Sequence, residues 1–342
     1  MNYLSQIETP SESHVYRYDY AKDVAIQQGK TFWFAEELGV QHDEDDLRTE
    51  LTQAELEACV YLQSILNKYE DHLGDDAWGD VIPKRFPRRE IVRACRAISY
   101  VESNSHAPFY KIFNEILHRA TDDFYSSWRY DGHLYKHIRY VDQCSKHPDS
   151  LVVAAATCLL EGVNLFTVFG FFKSFNTRGF NMISHFVSGI DGSSKEEFEH
   201  AKFSAYLFNN CRKERTDLGN HSEEQEEELK AIVLRMASDL YEHDLEIVRR
   251  IYAFEESTGT KIRTITQDEL VSWLQDRINL VLGMLGYSPM FEKEKGVISK
   301  EFYANISSFK MSDFFANTQL QYVRDWAVER LTFNPEALHA NN

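Results

Sequence analysis

Residues 151–172 read LVVAAATCLLEGVNLFTVFGFF, and this stretch decides the class of fold. It is apolar almost throughout, shows no strand-like alternation, and is interrupted by Glu161 and Asn164, so it reads as a buried helix rather than a membrane span. A carboxylate in such surroundings costs several kcal/mol unless something compensates it. Glu161 therefore sits on an exposed edge, pairs with an arginine, or binds a metal ion.

The rest of the chain fits a helical protein. Across 342 residues there are only 15 glycines and 7 prolines, and long segments carry apolar residues at three- and four-residue intervals. With 43% hydrophobic and 13% aromatic residues, the chain can bury a large core, and one domain over 1–342 is the simplest organisation. The pattern predicts helices at about 52–73, 89–120, 149–178, 180–190, 195–214, 222–257 and 266–285, with shorter pieces near 300–330. Thr52 before QAELEA and Thr266 before QDELVSWL mark helix starts. The connectors are then LGDDAWGDVIPKRFP, the stretch after Thr121 through SKHPDS, NHSEEQEEE and GYSPMFEKEKG. Residues 1–30 read as an N-terminal extension and 327–342 as a tail.

A net charge of −17 repels phosphate backbones and anionic lipid surfaces, which argues against nucleic-acid and membrane partners. The five cysteines are scattered with no Cys-x-x-Cys pair, so neither a disulfide framework nor a thiolate metal site is expected. The opening MNYLSQIETPSES lacks a basic-then-apolar signal, and a reducing cytoplasm is the expected location.

Glu161 gains meaning from its company. SSKEEFEHAKF holds Glu197 and His200 on one helix face, which with Glu161 makes half of a dinuclear site. A dimetal carboxylate bundle takes one Glu from each of two helices and a Glu/His pair from each of the other two. The matching half lies upstream, with Glu70 in YLQSILNKYEDHLG and Glu102 with His106 in SYVESNSHAPFY. The adjacent Asp71 is an alternative to Glu70. Two further Glu-x-x-His matches, Glu115/His118 and Glu336/His339, read as solvated helix pairs. Carboxylates with imidazoles and no thiolate suit iron or manganese better than zinc. Glu102 and His106 are four apart where Glu197 and His200 are three apart, a difference of about 100° around an ideal helix. Pro108 makes a kink or π-type bulge the natural accommodation.

These residues resemble the small subunit of class I ribonucleotide reductase, especially the compact versions encoded by phages, from about Lys30 to Trp326. TFWFAEELGV is similar to the family's Phe-Trp-x-Pro-Glu-Glu segment, with Ala35 in place of the proline. ESNSHAPFYKIFNEIL resembles the metal helix that bears the radical tyrosine, here Tyr110. LLEGVNLFTVFGFF and SGIDGSSKEEFEH resemble the third and fourth metal helices, and DRINLVLGMLGY with SSFKMSDFFANTQLQY the C-terminal ones.

The resemblance implies an all-α, ferritin-like bundle with a dimetal carboxylate site in a four-helix core. It implies a dinuclear iron, manganese or mixed Mn-Fe cofactor that activates oxygen and creates a tyrosyl radical, passed to a separate large catalytic subunit that converts ribonucleotides to deoxyribonucleotides. Carried over, the metal ligands are Glu70, Glu102, His106, Glu161, Glu197 and His200. Tyr110 is the radical site, Trp33 and Glu196 belong to the radical path, and Phe169 lines the tyrosine's pocket. Glu196 stands where the family has Asp. A homodimer is expected on the same ground. The competing readings are a related dimetal oxidase or desaturase and a non-enzymatic, ferritin-like metal-binding protein.

Overall fold

The computed structural model describes residues 5–292, 296, 299–300 and 302, and among them the architecture is helical with no strand. Its ten longest α-helices among the described residues are α1 Asp19–Thr31, α2 Gln53–Asp71, α3 Arg89–Val101, α4 Ala107–Ile116, α5 Gly132–Ser145, α6 Ser150–Leu159, α7 Leu165–Lys173, α8 Ser184–Asp217, α9 Glu223–Thr258 and α10 Gln267–Met284. Three wider, π-type segments extend or join them. His72–Val81 continues α2, Glu102–His106 links α3 to α4, and Leu160–Asn164 links α6 to α7.

The helix starts follow from side chains that satisfy free backbone N–H groups. Thr52 accepts from the Glu55 amide while Glu55 returns to the Thr52 amide, and Thr266 with Glu269 repeats the arrangement. The continuous run through α6 and α7 is the centre of the bundle. Ser150–Asn176 is long and apolar enough to cross a membrane, yet the apolar part is wholly buried inside the protein. It packs on α8, and α9 packs on α2 and α10, so the polar side chains of these helices that face inward meet in the middle.

Four expectations need correction. LGDDAWGDVIPKRFP is not a connector, because its first part winds as the π-type segment 72–81 and Ile82–Arg85 forms another helical turn. The stretch after Thr121 contains Asp122–Ser126 and then α5, whose Leu134, Ile138 and Val141 make a narrow buried stripe among polar residues. The N-terminal extension contains α1, which lies along α3 with Ala21, Val24 and Gln28 turned inward. The helices expected at 180–190 and 195–214 are one, α8, unbroken through Gly189 and Gly192. Packing overrides the low helix propensity of glycine there. A Cβ at Gly189 would sit 2.2 Å from the Phe109 ring, so only glycine lets the two helices approach this closely. Beyond residues 299–300 and 302, the pieces near 300–330, the tail at 327–342 and the pair Glu336/His339 lie outside the described residues.

One buried acid away from the centre gives a stability test. Asp244 in α9 accepts from the Thr167 hydroxyl of α7 at 2.7 Å, and its other oxygen has no hydrogen-bond partner. Burial pushes its carboxyl well above the usual 3.8. The folded protein keeps the proton while the unfolded chain ionises, so stability is lost as pH rises from the unfolded value toward the folded one. Asp244→Asn is expected to raise the thermal midpoint at pH 7. The gain should fade as pH falls toward 4, and thermal unfolding across that range measures it.

Candidate metal centre

Glu70 closes α2, Glu102 and His106 bound the π-type segment between α3 and α4, Glu161 lies in the π-type segment between α6 and α7, and Glu197 and His200 sit midway along α8. All six are at most 1% exposed. The structure brings them together as two groups: Glu70, Glu102, His106 and Glu197 form one, and Glu102, Glu161, Glu197 and His200 the other. Within each group the potential ligand atoms lie within 4.8 Å of one another, and Glu102 and Glu197 belong to both.

The wide turn at 102–106 answers the spacing problem posed by the sequence. A π-type turn takes more residues than an α turn, so side chains four apart both reach the centre from one face. His106 Nδ1 lies 2.6 Å from Glu102, 2.9 Å from Glu197 and 3.6 Å from Glu70. His200 Nδ1 lies 2.8 Å from Glu102, 3.2 Å from Glu197 and 3.9 Å from Glu161. Asp71, the alternative to Glu70, is exposed and belongs to neither group. Glu115 and His118 are exposed as well, and Glu115 pairs with Lys111.

The electrostatics divide the four acids into two kinds. Burial first, then the charge of Glu102 on Glu70 and of Glu197 on Glu161, pushes the two outer carboxyls well above the usual range. Burial acts the same way on Glu102 and Glu197, but the imidazoles hold Glu102 down, and hydrogen bonds from Glu161, His106 and His200 hold Glu197 down. Burial opposes charging of His200, yet Glu102 and Glu197 keep it up at about 9. Both oxygens of Glu70 and Oε2 of Glu161 accept no hydrogen bond. With metal bound the imidazoles would be neutral, and the four carboxylates would carry the charge that two divalent cations balance. Orphaned buried oxygens around that donor set fit a dinuclear metal group.

A hydrogen-bonded chain leaves the first group. His106 Nε2 is 2.8 Å from Glu196 Oε2, and the indole N–H of Trp33 donates to the same oxygen at 3.0 Å. With a metal ion on Nδ1, His106 would keep its one proton on Nε2 and donate it to Glu196. Tyr110 is fully buried. Its ring lies 5.0 Å from Phe109 and 6.3 Å from Phe186, which stacks on Phe113 at 3.7 Å. Phe169 is buried too, with its ring against Phe166 at 5.4 Å, while the rings recorded against Tyr110 are Phe109 and Phe186.

Two residues were not singled out from sequence. Trp78 donates its indole N–H to Glu161 and stacks on Phe203, so this partner of Glu161 is neither solvent nor arginine. It sits in the segment read as a connector, where the glycines and acids masked it. Ser193 meets the Tyr110 hydroxyl at 3.2 Å. Its position one turn before Glu197 on the same helix was the available signal.

The family model described as ribonucleotide reductase, small chain, matches residues 13–298. The ribonucleoside-diphosphate reductase 2 subunit beta of Escherichia coli K12 is 23% identical over 317 residues, covering 90% of this chain and 92% of that one. The dimanganese(II)-NrdF structure of Streptococcus sanguinis superposes with a TM-score of 0.72 at 17% identity, covering 88% of this chain and 99% of that chain. An R2-like ligand-binding oxidase with a reconstituted Mn/Fe cofactor gives 0.61 at 16% identity, over 80% of this chain and 95% of that one. At these identities the superpositions establish the ferritin-like fold.

Proposed function

The chain belongs to the ribonucleotide reductase small-chain family, and from that premise we propose that it is the subunit that generates and stores the radical for a separate large catalytic subunit. The observation that carries the proposal is the pair of ligand groups sharing Glu102 and Glu197, with the chain His106–Glu196–Trp33 leading away from them. Glu70, Glu102, His106 and Glu197 would hold one metal ion, and Glu102, Glu161, Glu197 and His200 the other. When bound, a dinuclear iron, manganese or mixed Mn-Fe centre supplies the oxidising power, drawn from oxygen or a reduced oxygen species.

The protein's own residues do the rest. Tyr110 yields one electron and one proton and holds the resulting radical where water and reductants are excluded. The aromatic cage of Phe109, Phe113 and Phe186 makes that site dry. Glu196 accepts from both His106 and Trp33, fixing their orientation and joining the centre to a residue that is itself 4% exposed. The closed surroundings of Tyr110 favour radical storage over an oxidase that must admit a substrate. The same reading places the chain in the cytoplasm as a homodimer of single ferritin-like domains, with neither nucleic acid nor membrane as partner.

Trp33→Phe tests the relay. In complex with the large subunit, this variant is expected to bind metal and form the Tyr110 radical as the parent does, while deoxyribonucleotide formation falls to background. Turnover at the parent rate would contradict the assignment of Trp33.

A further inference from the structure

Two of the five serines in α8 bond back to their own helix. Ser188 donates to the Ser184 carbonyl at 2.8 Å and Ser194 to the Asp191 carbonyl at 3.1 Å, the usual resting place for a helical hydroxyl. Ser193 departs from this habit. It is fully buried, and its Oγ lies across the helix interface, 3.2 Å from the Tyr110 oxygen. Ring neighbours Phe109 and Phe186 are apolar, so a hydroxyl is the exception in this pocket.

Resting on the radical-storage reading above, we propose that Ser193 is the positioning residue of the Tyr110 radical, its hydroxyl donating a hydrogen bond to the phenoxyl oxygen. In the resting phenol either hydroxyl can be the donor. Forming the radical would take one electron and one proton from Tyr110, for which an oxidised dinuclear centre, when bound, would supply the oxidant. The phenoxyl oxygen then has no hydrogen of its own, and the pair persists only with Ser193 as donor. The consequence is a fixed ring orientation and a redistribution of spin toward the hydrogen-bonded oxygen's neighbours, both tunable without touching a metal ligand.

The test uses full-length, metal-loaded, oxidised protein, studied by high-field electron paramagnetic resonance and proton electron-nuclear double resonance in H2O and D2O. The parent is expected to show one exchangeable proton coupled to the tyrosyl radical. Ser193→Ala should lose that coupling and show a larger g-anisotropy at unchanged metal content, and Ser193→Thr, which keeps the hydroxyl, should restore it. A parent radical without an exchangeable coupling overturns the proposal, whether or not the alanine variant folds. So does a coupling that survives in Ser193→Ala. A metal-loaded, oxidised parent with no tyrosyl signal overturns the radical-storage reading and this proposal together.

Discussion

Replacing Tyr110 with phenylalanine is expected to abolish the tyrosyl signal and, in the holoenzyme, nucleotide reduction, while two metal ions per chain remain bound. The separation of effects follows from position. Tyr110 belongs to neither ligand group, and its only oxygen faces Ser193. Removing that oxygen leaves the ring's packing against Phe109 and Phe186 intact and leaves one buried hydroxyl without its partner, a cost of about 1–3 kcal/mol that a large helical core can absorb. Electron paramagnetic resonance, metal analysis and turnover with the large subunit check the three parts separately. A variant that keeps a tyrosyl signal of the parent's shape would move the radical to another of the 18 tyrosines.

Glu161→Gln is expected to act in opposite directions with and without metal. In the metal-free protein burial and the charge of Glu197 penalise ionised Glu161, whose carboxyl is pushed well above the usual range. A neutral amide avoids that penalty and can still accept the Trp78 N–H, so the metal-free variant should be more stable at neutral pH than its parent. Metal reverses the order. Binding to the folded state alone stabilises by about 2.7 kcal/mol at a hundredfold excess over the dissociation constant. The variant has lost a charged donor from the second group, so its affinity should fall by more than the roughly 10–100-fold typical of losing a residue that merely orients a ligand. Thermal unfolding with and without manganous ion measures both halves. A less stable metal-free variant with an undiminished metal shift would remove Glu161 from the site.

Much of this site is legible in the sequence because its chemistry is expensive. Glu161 in the middle of 151–172 violates the apolar pattern, and a violation that costly marks function. The four-residue step from Glu102 to His106, next to Pro108, foretold a wide turn, and the backbone is π-type at 102–106. Other features left no such mark. Leu160–Asn164 is also a wide turn, yet no proline or irregular spacing announces it, and at His72–Val81 Pro83 follows as Pro108 follows His106, but among glycines and acids that read as a connector. The continuity of α8 through Gly189 depends on the close approach of Phe109, which local propensity cannot register. The helix α5 leaves a weak pattern because its buried face joins Leu134, Ile138 and Val141 to the polar His137 and Ser145, among further histidines, tyrosines and charges. Trp78 and Ser193 act through partners far along the chain, at Glu161 and Tyr110, so their roles exist only in the folded protein.

The central claim is that two metal ions share Glu102 and Glu197. Anomalous diffraction from crystals of the metal-loaded protein, recorded at the iron and manganese absorption edges, tests it at atomic positions. Two peaks per chain are expected, one bounded by Glu70, Glu102, His106 and Glu197 and the other by Glu102, Glu161, Glu197 and His200. A single peak, or peaks outside these six side chains, would contradict it.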